Sequence, residues 1–225
     1  MTRPVRRTAA GLLALSLAAA VAVAPVGATQ QAASSKVLVG TFKLTRGSFS
    51  GGKPHGTWFR MIYPGAKKYF PNPDSTSADN TYTLGVAGKD GGLVTGRFQP
   101  HPKPVFDAKG NARAHKIIKP QPFTAIGFSV ATLKVDPQSS KSVPVPSARV
   151  SGHKLTVQLQ GYTAEWNKQY FNQGAPKPDG SGAAATGTYD AATKHFVLQW
   201  TSKIAGGPFN SFSGLWHLEG TFSPR

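Results

Sequence analysis

Residues 195–222 read HFVLQWTSKIAGGPFNSFSGLWHLEGTF, and their hydrophobic period is two. Phe196, Leu198 and Trp200 alternate with more polar neighbours, and after the break at Gly206-Gly207-Pro208 the residues Trp216, Leu218 and Phe222 alternate again. Successive side chains of a strand face opposite ways, so each run lays one apolar face on a core. The spacing predicts two strands joined by a loop. The stretch VLVGTFKLTRGSF, from Val37, has the same texture. A first strand paired beside the last would cover sheet edges in a closed or nearly closed β structure.

No segment of ten or more residues combines a 3.6-residue period with good helix formers, so helix is expected to be scarce. The 225-residue chain is 39% hydrophobic and carries 25 Gly and 18 Pro, a composition that suits one turn-rich domain. Strands are expected over 37–49 with a break near Gly47, over 58–63, over 154–166 and over 183–189. A hairpin is expected from 81–86 and 93–98 across the turn Asp90-Gly91-Gly92. Over 123–135, Ile126, Phe128 and Val130 face one way and Leu133 and Val135 the other, which predicts a bulge midway. Residues 67–80, 99–121 and 167–182 read as long loops. The expected fold is a single-domain, all-β antiparallel barrel or sandwich of about eight to ten strands with long Pro/Gly-rich loops.

Residues 1–28 do not belong to that domain. Arg3, Arg6 and Arg7 precede an apolar run, and Val26-Gly27-Ala28 offers small residues for cleavage, which is the pattern of a secretory signal peptide. Residues 29–36 read as a disordered leader and 37–225 as the domain. Arg6-Arg7 leaves both the general secretory and the twin-arginine route open. No second stretch is long and apolar enough to span a bilayer, so a secreted, extracellular protein is expected. The chain has no cysteine, which excludes disulfides, zinc–thiolate sites and cysteine nucleophiles.

Without the three signal arginines the balance is 23 basic against 9 acidic side chains, a formal charge of +14. Such a surface attracts anionic wall polymers, nucleic acid, acidic polysaccharides or lipid headgroups. The basic residues are spread along the chain, with only Lys67-Lys68 adjacent in the mature part. No dedicated nucleic-acid site is therefore expected.

Catalytic motifs are sparse. The chain has no phosphate-binding glycine loop, no GxSxG turn and no HExxH helix. All six histidines are isolated, so spacing indicates no metal site and no cofactor. His217 and Glu219 lie two apart in a strand and share the face opposite Trp216 and Leu218, where a histidine and a carboxylate can carry acid–base chemistry. Glu165, beside Trp166, is the other glutamate and a third catalytic candidate. Asn72, Asp74, Ser75, Asp79 and Asn80 are rich in oxygen but do not match a calcium loop, and turn formation accounts for the same residues.

The ending GTYDAATKHFVLQWTSKIAGGPFNSFSGLWHLEGTF resembles the C-terminal part of small secreted all-β proteins from actinomycetes that have no assigned activity. The resemblance rests on GGPFN and WHLEG. It implies export and the style of the fold, and it transfers no catalytic residue.

The loops 67–80 and 167–182 each place an aromatic pair among Pro, Asn and Gly. Tyr69, Phe70, Tyr170 and Phe171 are candidate contact residues, with Lys67, Lys68 and Lys168 as their electrostatic surround. The alternative is that these rings pin their loops to the domain. The functional expectation is a secreted binding protein acting at or outside the cell envelope, toward an acidic polymer or carbohydrate. A small His/Glu acid–base enzyme, or an inhibitor or partner of another exported protein, are the other readings.

Overall fold

The computed structural model describes residues 35–225, so the expected signal peptide and all but the end of the expected leader lie outside the described residues. Among the described residues the chain forms seventeen strands and no helix. They are β1 (Lys36–Leu38), β2 (Gly40–Leu44), β3 (Ser48–Ser50), β4 (Lys53–His55), β5 (Trp58–Ile62) and β6 (Tyr69–Phe70). Next come β7 (Thr83–Leu84), β8 (Gly92–Val94), β9 (Gln121–Phe123), β10 (Ile126–Thr132), β11 (Ser147–Ser151) and β12 (Lys154–Gln158). The last are β13 (Tyr162–Trp166), β14 (Gln169–Asn172), β15 (Ala185–Tyr189), β16 (His195–Lys203) and β17 (Ser213–Pro224).

The expected closing pair is β16 and β17, antiparallel from His195 opposite Thr221 to Lys203 opposite Ser213. The other edge of β17 serves two strands: residues 220–224 pair with β2 and 213–217 with β5. From β17 the curled sheet continues through β16, β15, β12 and β11 to β1. Only Val39 separates β1 from β2, which pairs with β17, so the path of pairing leads back to the strand from which it started. Of the expected first strand, the part that forms β2 does lie beside the last strand, whereas β1 pairs with β11. Gly40 lets β2 approach β17 closely, because a Cβ there would sit 2.2 Å from the Ser223 carbonyl oxygen.

Alternation fills the inside of this curl. Phe42, Leu155, Val157, Phe196, Leu198 and Leu218 are wholly buried. Each large apolar side chain removed from water in this way contributes about 1.5–3 kcal/mol. Their neighbours on β11, β12, β15 and β16 point outward and are mostly exposed.

A second sheet, in the order β14-β13-β10-β9, lays its inner face on the wall formed by β5, β16 and β17. Aromatic rings make that joint. Phe59 lies 5.5 Å from Phe128, and Tyr162 stands edge-on to both Trp200 and Trp216 at 5.2 Å. The fold therefore combines a curled, ring-like sheet with a two-layer sandwich.

Several strand expectations need correction. Residues 81–86 and 93–98 do not pair with each other: β7 pairs with β5 and β8 with β2. Pairing Leu93 with Phe42 buries both inside the curl, which a local hairpin would not do. Residues 123–135 hold a hairpin rather than a bulge. Thr124 (φ 49°) and Ala125 (φ 65°) form a two-residue turn between β9 and β10. Residues 154–166 split at Leu159–Gly161 into strands of different sheets. The expected loop 167–182 opens with β14, joined to β13 by the tight turn Asn167 (φ 48°) and Lys168 (φ 58°). Short strands of this kind raise the number of strands above eight to ten without changing the fold class.

Candidate functional site

Two histidine–carboxylate groups and one exposed polar face stand out. The first group lies on the outer side of β16 and β17, where alternation places His217 and Glu219 opposite the buried Trp216 and Leu218. Glu219 is shared. His195 Nε2 lies 3.2 Å from Oε1, His217 Nε2 lies 3.4 Å from Oε2, and the Gly56 N–H donates to Oε2 at 3.1 Å. Partial burial raises the Glu219 pKa, but the bonds from His195, His217 and Gly56 outweigh it and hold the carboxyl below its ordinary range. Burial lowers the pKa of His217, against the pull of Glu219. Its ring stacks on Trp58 with 4.7 Å between centroids and 3° between planes. A largely neutral imidazole stacked on an indole and a carboxylate already held by three groups form a surface anchor more readily than a proton-transfer pair.

The second group is Glu165 with His101. Glu165 is on β13, fully buried, and accepts a hydrogen bond on Oε1 from His101 Nδ1, whose side chain is partly exposed. Its Oε2 is buried without a partner. Burial raises the Glu165 pKa, while the hydrogen bond and charge of His101 lower it, and the net shift is upward. Tyr170 is opposite Glu165 across the β13–β14 ladder, and its ring lies 5.9 Å from His101 and 5.6 Å from Phe106. Burial first, and the Glu165 charge second, push the Tyr170 pKa up. A buried carboxylate that orients a histidine by its Nδ1 is the arrangement of a general base. It holds the segment around residue 101 to the second sheet as well.

The aromatic rings of the two loops pack on the domain, and the lysines beside them are exposed. Tyr69 lies beneath the Arg60 guanidinium, 3.3 Å from the ring centroid, and Tyr82 packs on the same group at 3.9 Å. Phe70 meets Tyr63, Phe123, Phe209 and Phe212. Phe171 is buried in the core and lines a small apolar cavity of about 40 Å³ with Phe59, Phe128, Trp166, Phe209 and Trp216. Lys67, Lys68 and Lys168 are exposed. The two aromatic pairs do not form one surface: Tyr69-Phe70 extends the curled sheet at β5, whereas Tyr170-Phe171 belongs to the second sheet.

The oxygen-rich cluster is consumed by turns. Asn72 Oδ1 accepts from the N–H groups of Asp74 and Thr124, Asp74 accepts from Ala125, and Asp79 accepts from Thr81 and pairs with Arg60 at 3.6 Å. Sequence reasoning passed over His101, which joins Glu165 from a distant loop, and His195, which joins Glu219 across the β16–β17 ladder. The second pairing is implicit in the register once the two closing strands are paired, whereas no local pattern marks the first. A scan against protein-family models gave no match, and searches of curated proteins and of solved structures found no similar chain.

Proposed function

We propose that this chain is an exported binding protein for acidic polymers, acting at or outside the cell envelope. The observation that carries the reading is how the fold uses its few carboxylates. Asp107, Asp136, Asp179 and Asp190 accept hydrogen bonds from the loop that each one closes. Glu165 and Glu219 are taken by histidines. Among the described residues the ion pairs to lysine or arginine are Arg60–Asp79 and Arg97–Asp90, and no lysine comes within 4.0 Å of a carboxylate. The lysine charge is thus uncompensated at short range and available to a polyanion.

A salt gradient on immobilised poly(glycerol phosphate) tests this. The protein should be retained at low ionic strength and released as the Debye length falls toward roughly 8 Å near 0.15 M salt. Failure to bind at low salt, or retention that ignores salt, would refute it. Acid–base catalysis is the second reading, favoured by the buried Glu165 behind His101. In that case His101→Ala would abolish turnover of a hydrolysable ester or glycoside that the wild type consumes.

A further inference from the structure

We infer that the outer face of β11, β12, β15, β16 and β17 is where the acidic polymer lies, and that it crosses the strands. The inference rests on the proposed function and adds its location and geometry. Strand register sets Arg149, Thr156, Thr186, Gln199 and His217 side by side in one row, one residue from each strand. Adjacent strands are about 4.8 Å apart, so the row extends about 19 Å. Arg149, Thr186 and Gln199 are exposed, and Thr156 and His217 are half-buried.

A second row alongside it contains Lys154, Thr188, Val197 and Glu219. A third brings His195, Thr221 and Lys43 together. All of these side chains are on the outward phase of their strands, with the apolar core behind them.

The chemistry of this face fits a chain of tetrahedral oxyanions carrying hydroxyls. Arg149 and Lys154 supply charge on β11 and β12, Lys43 supplies it from β2 beside Thr221 and Lys203 from the far end of β16, while the threonine hydroxyls and the Gln199 amide supply neutral hydrogen bonds between them. The single carboxylate in these five strands is Glu219, whose oxygens are already engaged by His195, His217 and the Gly56 N–H. Arginine offers a planar fork suited to oxyanions. Threonines on a strand have few rotamers to lose when they are engaged. A polymer aligned across the strands along the first row meets donors on four successive strands, from Arg149 through Thr156 and Thr186 to the Gln199 amide, before reaching His217, whose ring nitrogens are engaged by Gln199 and Glu219. One aligned along a single strand meets an outward residue only at every second position.

Binding of the full chain to poly(glycerol phosphate) and to heparin, as phosphodiester and sulfate probes of the shared oxyanion chemistry, tests the inference. Two variants each remove two charges: Arg149→Ala with Lys154→Ala on the face, and Lys67→Ala with Lys68→Ala on a loop outside it. A third, Thr186→Ala with Gln199→Ala, removes neutral donors only. All six positions are outside the core, so melting temperatures should stay within a few degrees of wild type.

The face pair should weaken binding at least tenfold, the loop pair less than about threefold, and the neutral pair at least threefold. The probe with the larger losses identifies which oxyanion the face prefers. Equal losses from the two charge pairs, with none from the neutral pair, would mean that net charge alone binds; the face would be refuted and the proposed function would stand. Absence of salt-sensitive binding by the wild type would refute both.

Discussion

Replacing His101 by Ala removes the one hydrogen-bond partner of a fully buried carboxylate, and the loss should depend on pH in a way that ordinary packing damage does not. Burial raises the Glu165 pKa above its ordinary 4.5, so the folded chain holds this proton more tightly than the unfolded chain does. The stability associated with this group is fully present below 4.5 and is lost as pH rises through the raised value. The bond and charge of His101 limit that loss in the wild type. Without them the carboxylate either ionises unpaired or keeps its proton at a cost of about 1.4 kcal/mol per pH unit.

At pH 8 the loss should therefore approach the 3–5 kcal/mol typical of a broken buried pair, and at pH 5 it should be small. For a domain of this size that corresponds to a fall of about 6–20 °C in melting temperature at the higher pH. Thermal melts from pH 5 to 8 on His101→Ala, Glu165→Gln and the double variant provide the measurement. Adding Glu165→Gln to His101→Ala should recover much of the loss at pH 8, because the amide is neutral and of equal size. A His101→Ala deficit that is the same at every pH, or a double variant no more stable than the single, would refute the reasoning.

Trp216→Ala should cost about 3–5 kcal/mol by chemical denaturation, because it empties the joint between the sheets and strands the Gln173 carboxamide that accepts its N–H at 3.1 Å. Changing Thr124-Ala125 to Asn-Gly should raise stability by about 1–2 kcal/mol, since both positions hold positive φ and a β-branched residue is poorly suited to it; no change in the melting temperature would show that the turn is unstrained. Arg60→Ala should cost about 2 kcal/mol by releasing Tyr69 and Tyr82 together, and should make residues 67–80 easier to cleave with protease. Tyr69→Ala should lower the melting temperature without weakening polymer binding; the reverse result would restore this loop as a contact surface.

The parts of the fold legible in the sequence were those with a long period-2 run. Phe196 to Trp200 and Trp216 to Phe222 show their inward face directly, and the outward placement of His217 and Glu219 follows from it. Two kinds of information were not local. The turns Thr124-Ala125 and Asn167-Lys168 lack glycine, so neither announces a hairpin, and the strands on either side of each merge into one run or one loop. Long-range partners were the other omission. Leu93 goes to Phe42 because the pairing buries both, and His101 reaches Glu165 because the segment 99–121 crosses the second sheet. Tyr69 and Phe171 read as loop aromatics because nothing nearby in the sequence reveals Arg60 over one or the core around the other.

The double use of one edge of β17 has a kinetic consequence. Three strands, β16, β2 and β5, take their hydrogen bonds from this single element, and two of them come from the opposite end of the chain. Pairing Gly40 with Pro224 spans nearly the whole described sequence, and the entropy of closing such a loop has to be met before the contact gives anything in return. Folding should accordingly be slow, in the millisecond-to-second range of β topologies rich in non-local contacts. Until β17 docks, the edges of β2, β5 and β16 remain open to neighbouring molecules, so crowded, newly made chains are most prone to associate in that interval.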